Sequence, residues 1–75
     1  MISEIYRKYR DGEVLTIKEL HQLNDHMRKT VNLLVRLGDV FILPMMEANN
    51  VANRTQTMLA ARSNKKFVDD HNDNG

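Results

Sequence analysis

The chain has 75 residues, of which 41% are hydrophobic, with no cysteine, no tryptophan and a formal net charge of +1. A chain of this length forms one domain, near the size at which a single hydrophobic core is only marginally sufficient. The absence of cysteine excludes a disulfide framework and a thiolate metal site, and it fits a reducing cytoplasm better than a small secreted scaffold.

The most apolar stretch, residues 31–46, is interrupted by Arg36, Asp39 and Pro44. It is too short and too charged to span a bilayer, and the N-terminus lacks the basic and apolar runs of a secretory signal. The sequence therefore predicts a cytoplasmic protein without a membrane segment.

The first element in chain order is a short amphipathic helix. Its apolar face carries Ile2, Ile5, Tyr6 and Tyr9, and a glycine at position 12 follows it. Glycine accepts the left-handed conformation that a helix end or turn needs. Because so short a helix is marginal alone in water, we expect its apolar face to dock on the rest of the chain.

The central helix has the strongest start signal in the chain. Thr16 is followed three residues later by Glu19, which is the capping-box spacing, and Leu15 and Leu20 occupy the two positions of a hydrophobic staple. We expect one helix over residues 16–37, with a glycine just past its end.

Residues 38–44 are compatible with a tight corner, a short extended link or a kink in one long helix. Because Pro44 disfavours helical conformation in the residue before it and is common as the first residue of a helix, we favour a corner. A third helix is then expected from about Pro44 to Arg62. Residues 63–75 lack periodicity and end in acidic residues, so we predict a disordered tail after a helical domain of residues 1–62.

An apolar stripe keeps helical spacing along most of the chain, since steps of three and four place residues on one side of a helix. Its members are Ile17, Leu20, Leu23, Met27, Val31, Leu34, Phe41, Met45, Ala48, Ala52, Thr55 and Leu59. Leu33 and Val35 widen this face near the C-terminal end of the central helix, which predicts that this end is buried from two sides. The predicted fold is an all-α small helical bundle with three helices, the last after Pro44, completed by dimerisation.

We expect the contact with a partner to use the part of the stripe around the corner and on the third helix. Small alanines let another backbone approach closely, and methionine fills irregular gaps. The predicted interface residues are Leu34, Phe41, Met45, Ala48, Ala52 and Leu59.

The sequence contains no recognisable catalytic or cofactor-binding pattern. His21 and His26 are five residues apart, which points them to different helical faces, and there is no HExxH motif or glycine-rich phosphate loop. Ser3 and Ser63 have no paired base. We therefore expect neither enzymatic activity nor a cofactor or metal.

These observations favour a small protein–protein interaction module, a regulator or inhibitor that binds an unidentified larger protein and self-associates as a homodimer. Small cytoplasmic regulators encoded by phages and mobile elements share this profile of size and composition.

A helix-turn-helix DNA-binding regulator is the alternative interpretation of residues 16–37. Residues 21–24 would hold the turn, and a recognition helix would begin near residue 28. Its groove-facing side chains would be Arg28, Lys29, Asn32 and Arg36, because arginine reads guanine and asparagine reads adenine. One uninterrupted helix explains the same residues more simply, so we favour the interaction module.

Overall fold

The computed structural model describes the backbone of residues 2–74 and the side chains of residues 2–63. In chain order, α1 spans Ile2–Arg10, α2 spans Ile17–Leu37, a 3₁₀ turn spans Asp39–Phe41 and α3 spans Ile42–Asn74. This order confirms the predicted all-α class with a short first helix and a long central one.

Helix α1 forms and ends where the amphipathic pattern predicts. Ile5 is buried, and Tyr6 and Tyr9 pack half-buried against the core. After the helix, the backbone amide of Asp11 donates to the carbonyl of Arg7 at 3.0 Å. Gly12 then adopts a φ of 77°, a conformation that glycine reaches without a steric penalty.

Helix α2 begins with the predicted capping box. The backbone amide of Glu19 donates to Thr16 Oγ1 at 3.0 Å, and the backbone amide of Thr16 donates to Glu19 Oε1 at 2.9 Å. Leu15 and Leu20 of the hydrophobic staple are both buried in the core. Lys8 Nζ of α1 lies 3.1 Å from Glu19 Oε2, so the same carboxylate connects the cap to α1.

A corner joins α2 to α3, which selects one of the three conformations left open for residues 38–44. Gly38 has φ 99° and ψ −171°, a conformation essentially restricted to glycine. Helix α3 begins at Ile42, two residues before the predicted start. Pro44 lies in the first helical turn, where its missing N–H has no helical acceptor to lose, so this position tolerates it.

Helix α3 continues to Asn74, beyond the predicted end at Arg62. Residues 63–74 contain neither glycine nor proline, so the loss of apolar periodicity does not by itself stop the helix. The predicted disordered tail comprises residues 63–75. The side chains from residue 64 onward lie outside the described residues. The division into a helical domain and a tail therefore stays a prediction.

Helices α2 and α3 form an antiparallel hairpin, because only a short corner separates them, and α1 packs against α2. The buried apolar core draws on all three helices and on the segment before α2. Its members are Ile5, Leu15, Leu20, Leu23, Met27, Ala48, Val51 and Ala52. At the open end of the hairpin, the Arg62 guanidinium donates to the carbonyl of Leu15, which connects α3 to the start of α2.

We expect Thr16→Ala to lower the free energy of unfolding by about 1 kcal/mol, because it removes the side-chain acceptor of the N-cap. Thr57→Ala is the matched control, since Thr57 is an exposed helix residue that donates only to the carbonyl of Asn53 in its own helix. Urea denaturation followed by circular dichroism, at one protein concentration, measures both. Equal midpoints for Thr16→Ala and the wild type would contradict a role for the cap.

The cap also makes stability dependent on pH. The hydrogen bond from the Thr16 backbone amide lowers the pKa of Glu19 below its ordinary value, and the bond from Lys8 lowers it further. A pKa depressed by folding contributes stability above the unfolded-state pKa, and this stability is lost as the pH falls through the folded-state pKa. We expect the stability difference between wild type and Glu19→Gln to be largest near neutral pH and to shrink in acid.

Urea denaturation of both proteins at a series of pH values, from about 7 to about 3, checks this dependence across the ordinary carboxyl range. A difference that stays constant over the series would show that the charge on Glu19 does not support the fold.

Candidate interaction surface

The exposed large apolar side chains concentrate at the closed end of the α2–α3 hairpin. Among residues 2–63, eleven large apolar side chains are exposed, and eight of them lie between positions 33 and 46. This set, termed the apolar hairpin end, consists of Leu33, Val35, Leu37, Val40, Phe41, Ile42, Leu43 and Met46. Only three of the eleven lie elsewhere, so the exposure is local and not spread over the surface.

Helical geometry explains why these side chains stay outside the core. Leu33 and Leu37 are one turn apart on α2, and Ile42 and Met46 are one turn apart on α3, so each pair forms a strip along its own helix. None of these four residues belongs to the stripe, whose buried members occupy the side on which α2 and α3 face each other. The two strips therefore flank the hairpin contact instead of entering it.

Helix α1 covers the hairpin but stops short of its closed end. The hydroxyl of Tyr6 donates to Glu47 Oε1 at 3.0 Å, and this hydrogen bond raises the pKa of Tyr6 above its ordinary value. Ile2, at the start of α1, lines a cleft of about 530 Å³ together with Pro44 and Glu47. The exposed segment from Val40 to Leu43 is not among the residues that line this cleft.

The apolar area left uncovered is energetically large for so small a chain. The exposed fraction in the apolar hairpin end ranges from 38% for Phe41 to 86% for Val40. Since fully burying one such side chain is worth about 1.5–3 kcal/mol, covering eight that are roughly half exposed is worth on the order of 10 kcal/mol before association costs. Single exposed apolar residues are ordinary, whereas a cluster of this kind is a candidate contact surface.

Two charged residues of opposite sign interrupt this surface. Arg36 and Asp39 are both exposed, and within residues 33–46 they are the only charged side chains. Neither makes an ion pair with another residue among those whose side chains are described. The formal charge of residues 33–46 is therefore zero, from one basic and one acidic side chain.

Two of the six predicted interface residues lie in the core of the single chain. Ala48 and Ala52 are 6% and 2% exposed, because their small side chains let α2 and α3 pack closely within one chain. Leu59 is also half-buried against the same core.

The remaining predicted interface residues lie at the closed end of the hairpin. Leu34 and Met45 are half-buried, and Phe41 is exposed. Leu33 and Val35, for which the sequence predicted burial from two sides, are 58% and 59% exposed, because they lie out of phase with the face of α2 that packs on α3. Sequence reasoning did not identify these off-stripe residues as exposed, although their position out of phase with the stripe was the signal for it.

Helix α2 contradicts the helix-turn-helix arrangement. It is helical throughout Ile17–Leu37, so the turn expected at residues 21–24 does not exist. Of the four side chains expected in a major groove, Lys29 pairs with Asp25 at 2.9 Å, and Arg28 Nη2 donates to Gln56 Oε1 at 3.3 Å. The other two, Asn32 and Arg36, are exposed.

One buried polar residue, Asn24, was missed by sequence reasoning. Its Nδ2 donates to the carbonyl of Ala52 at 2.8 Å and to Thr55 Oγ1 at 3.0 Å, and its Oδ1 accepts from Arg28 Nε at 3.1 Å. Asn24 follows Leu20 by four residues, so the spacing of the stripe indicated its burial. A shifted pairing of α2 and α3 would leave the amide buried without partners, so this network favours the observed register.

In the part of the chain described, no three histidine, aspartate or glutamate side chains come together as metal ligands, and no helix is long and apolar enough to cross a bilayer. No protein-family model, curated protein or solved structure matches this chain.

We expect Asn24→Ala to lower the free energy of unfolding by about 1–3 kcal/mol, because it removes the hydrogen bonds that connect α2 to α3. Asn32→Ala is the matched control on an exposed position of the same helix and should change stability by less than about 0.5 kcal/mol. Chemical denaturation at equal protein concentration measures both variants. If the two substitutions have the same effect, the buried network does not stabilise the hairpin.

Proposed function

We propose that this chain is a small non-enzymatic protein–protein interaction module, and that it binds its partner through the apolar hairpin end. The observation that carries this proposal is the concentration of eight exposed large apolar side chains between residues 33 and 46. Contiguous exposed apolar patches often mark sites of protein–protein contact.

The distribution of exposure supports a contact with central apolar anchors. Val40 and Leu43, at 86% and 73% exposed, project furthest, and the aromatic ring of Phe41 lies between them in the chain. Binding energy at protein interfaces comes mainly from a few such anchors that become buried at the centre. Arg36 and Asp39 would then supply the polar contacts that orient the partner.

A regulator or inhibitor of this kind works by occupying a surface of its target, so it needs no catalytic group. The position of the surface on the corner and the two helix ends beside it supports this role, because a surface formed before binding loses little conformational entropy on binding. We place the protein in the cytoplasm, since a cysteine-free chain of this size does not depend on an oxidising compartment for its fold.

Site-specific photo-crosslinking in living cells tests the proposal. Val40 and Val14 are a matched pair, because they are 86% and 84% exposed and only Val40 belongs to the apolar hairpin end. We expect a photoreactive amino acid at position 40 to form covalent adducts with protein, and one at position 14 to form few or none. Gel shifts and mass spectrometry identify the adducts.

Position 43 provides an independent site for the same reagent, since Leu43 is also strongly exposed. Failure to form protein adducts at both positions 40 and 43 would overturn the proposed function. Equal labelling from positions 14 and 40 would do the same, because the surface would then have no preference for protein contact.

A further inference from the structure

We infer that the apolar hairpin end binds a second copy of this chain, in a dimer related by a two-fold axis. This inference rests on the proposed function, because it names the partner of the same surface. It differs from a dimer through Ala48 and Ala52, which are already buried within one chain.

The charges of the apolar hairpin end point to a second copy. A two-fold interface joins a surface to itself, so a charged group that becomes buried in it is balanced only when the same surface carries an opposite charge. Arg36 and Asp39 satisfy this condition, since they are single, exposed and of opposite sign. A two-fold axis passing between them places Arg36 opposite the partner's Asp39 and Asp39 opposite the partner's Arg36.

The same charges argue against a strongly charged partner. A surface that binds nucleic acid, an anionic membrane or an acidic protein carries an excess of basic groups that steers the partner toward it. The apolar hairpin end has one basic and one acidic side chain, so it has no such excess. Its complement is a neutral, apolar surface with one group of each sign, which is the description of the surface itself.

The composition and size of the surface fit a homodimer. Interfaces between identical copies are more apolar than those of partners that also exist apart. Eight side chains of about 60–120 Å² each, roughly half exposed, present about 250–500 Å² of apolar surface. Two facing copies would bury up to about 1,000 Å² of this apolar surface in total, and at that upper end the contact reaches the lower limit of a specific interface.

Analytical ultracentrifugation of the purified full chain, over a wide concentration range, tests the dimer. We expect the wild type and Val14→Glu to dimerise alike, and Val40→Glu to raise the dimer dissociation constant at least about tenfold, because a carboxylate would be buried without a partner. Circular dichroism establishes that both variants remain helical. A second variant, Leu43→Glu, repeats the test at another exposed position.

Charge reversal tests the two-fold pairing. Arg36→Asp gives a surface with two acidic groups, and Asp39→Arg gives one with two basic groups, so we expect each variant alone to dimerise about tenfold or more weakly. An equimolar mixture of the two variants should form heterodimers with near wild-type affinity, because both cross-pairs are then of opposite sign. A contact within one chain cannot produce this recovery on mixing.

The outcomes separate this inference from the proposed function. A wild type that stays a folded monomer at all concentrations overturns the dimer, whereas adducts from position 40 to a different protein would still support the interaction module. A wild type that stays monomeric, together with no protein adducts from positions 40 and 43, overturns both the dimer and the interaction module. Dimers that tolerate Val40→Glu and Leu43→Glu place self-association on another surface, and a mixture that shows no recovery rejects the two-fold pairing.

Discussion

The close contact between α2 and α3 is the interaction on which the rest of the structure depends. Ala48 and Ala52 make it possible, because small side chains allow two helix backbones to approach. Leu20, Leu23 and Met27 fill the opposite side of this contact. By pairing the two halves of the apolar stripe within one chain, the hairpin uses the residues that a sequence-based argument would assign to a partner.

This pairing also determines what remains outside. A hairpin buries one side of each helix, and α1 is only nine residues long, so it covers only part of the groove. Apolar residues that lie out of phase with the stripe, such as Leu33 and Val35, point away from α3 at the closed end and stay exposed. The apolar hairpin end is thus exposed for two reasons. The core between α2 and α3 is already filled by residues of the stripe, and α1 is too short to cover the exposed side chains as well.

Much of the fold could be predicted because its signals are local. The box formed by Thr16 and Glu19, the glycines at positions 12 and 38, and the spacing of apolar residues act within a few residues of the chain. The partner of the stripe has no local signature, since Ala52 offers the same small surface to α2 or to another copy. The hydrogen bonds of Asn24 likewise join residues that are far apart in sequence, so only the folded hairpin reveals them.

The corner connects the fold to the surface. Gly38 adopts a backbone conformation that costs other residues about 1–3 kcal/mol, and it sets the direction in which α3 leaves α2. That direction fixes the position of the strip carrying Leu37 relative to the strip carrying Ile42. The corner therefore closes the hairpin and at the same time shapes the apolar hairpin end. The apolar hairpin end is therefore already formed within the folded chain, with its apolar side chains on two helix ends and the turn between them, and with Arg36 and Asp39 on either side of the glycine.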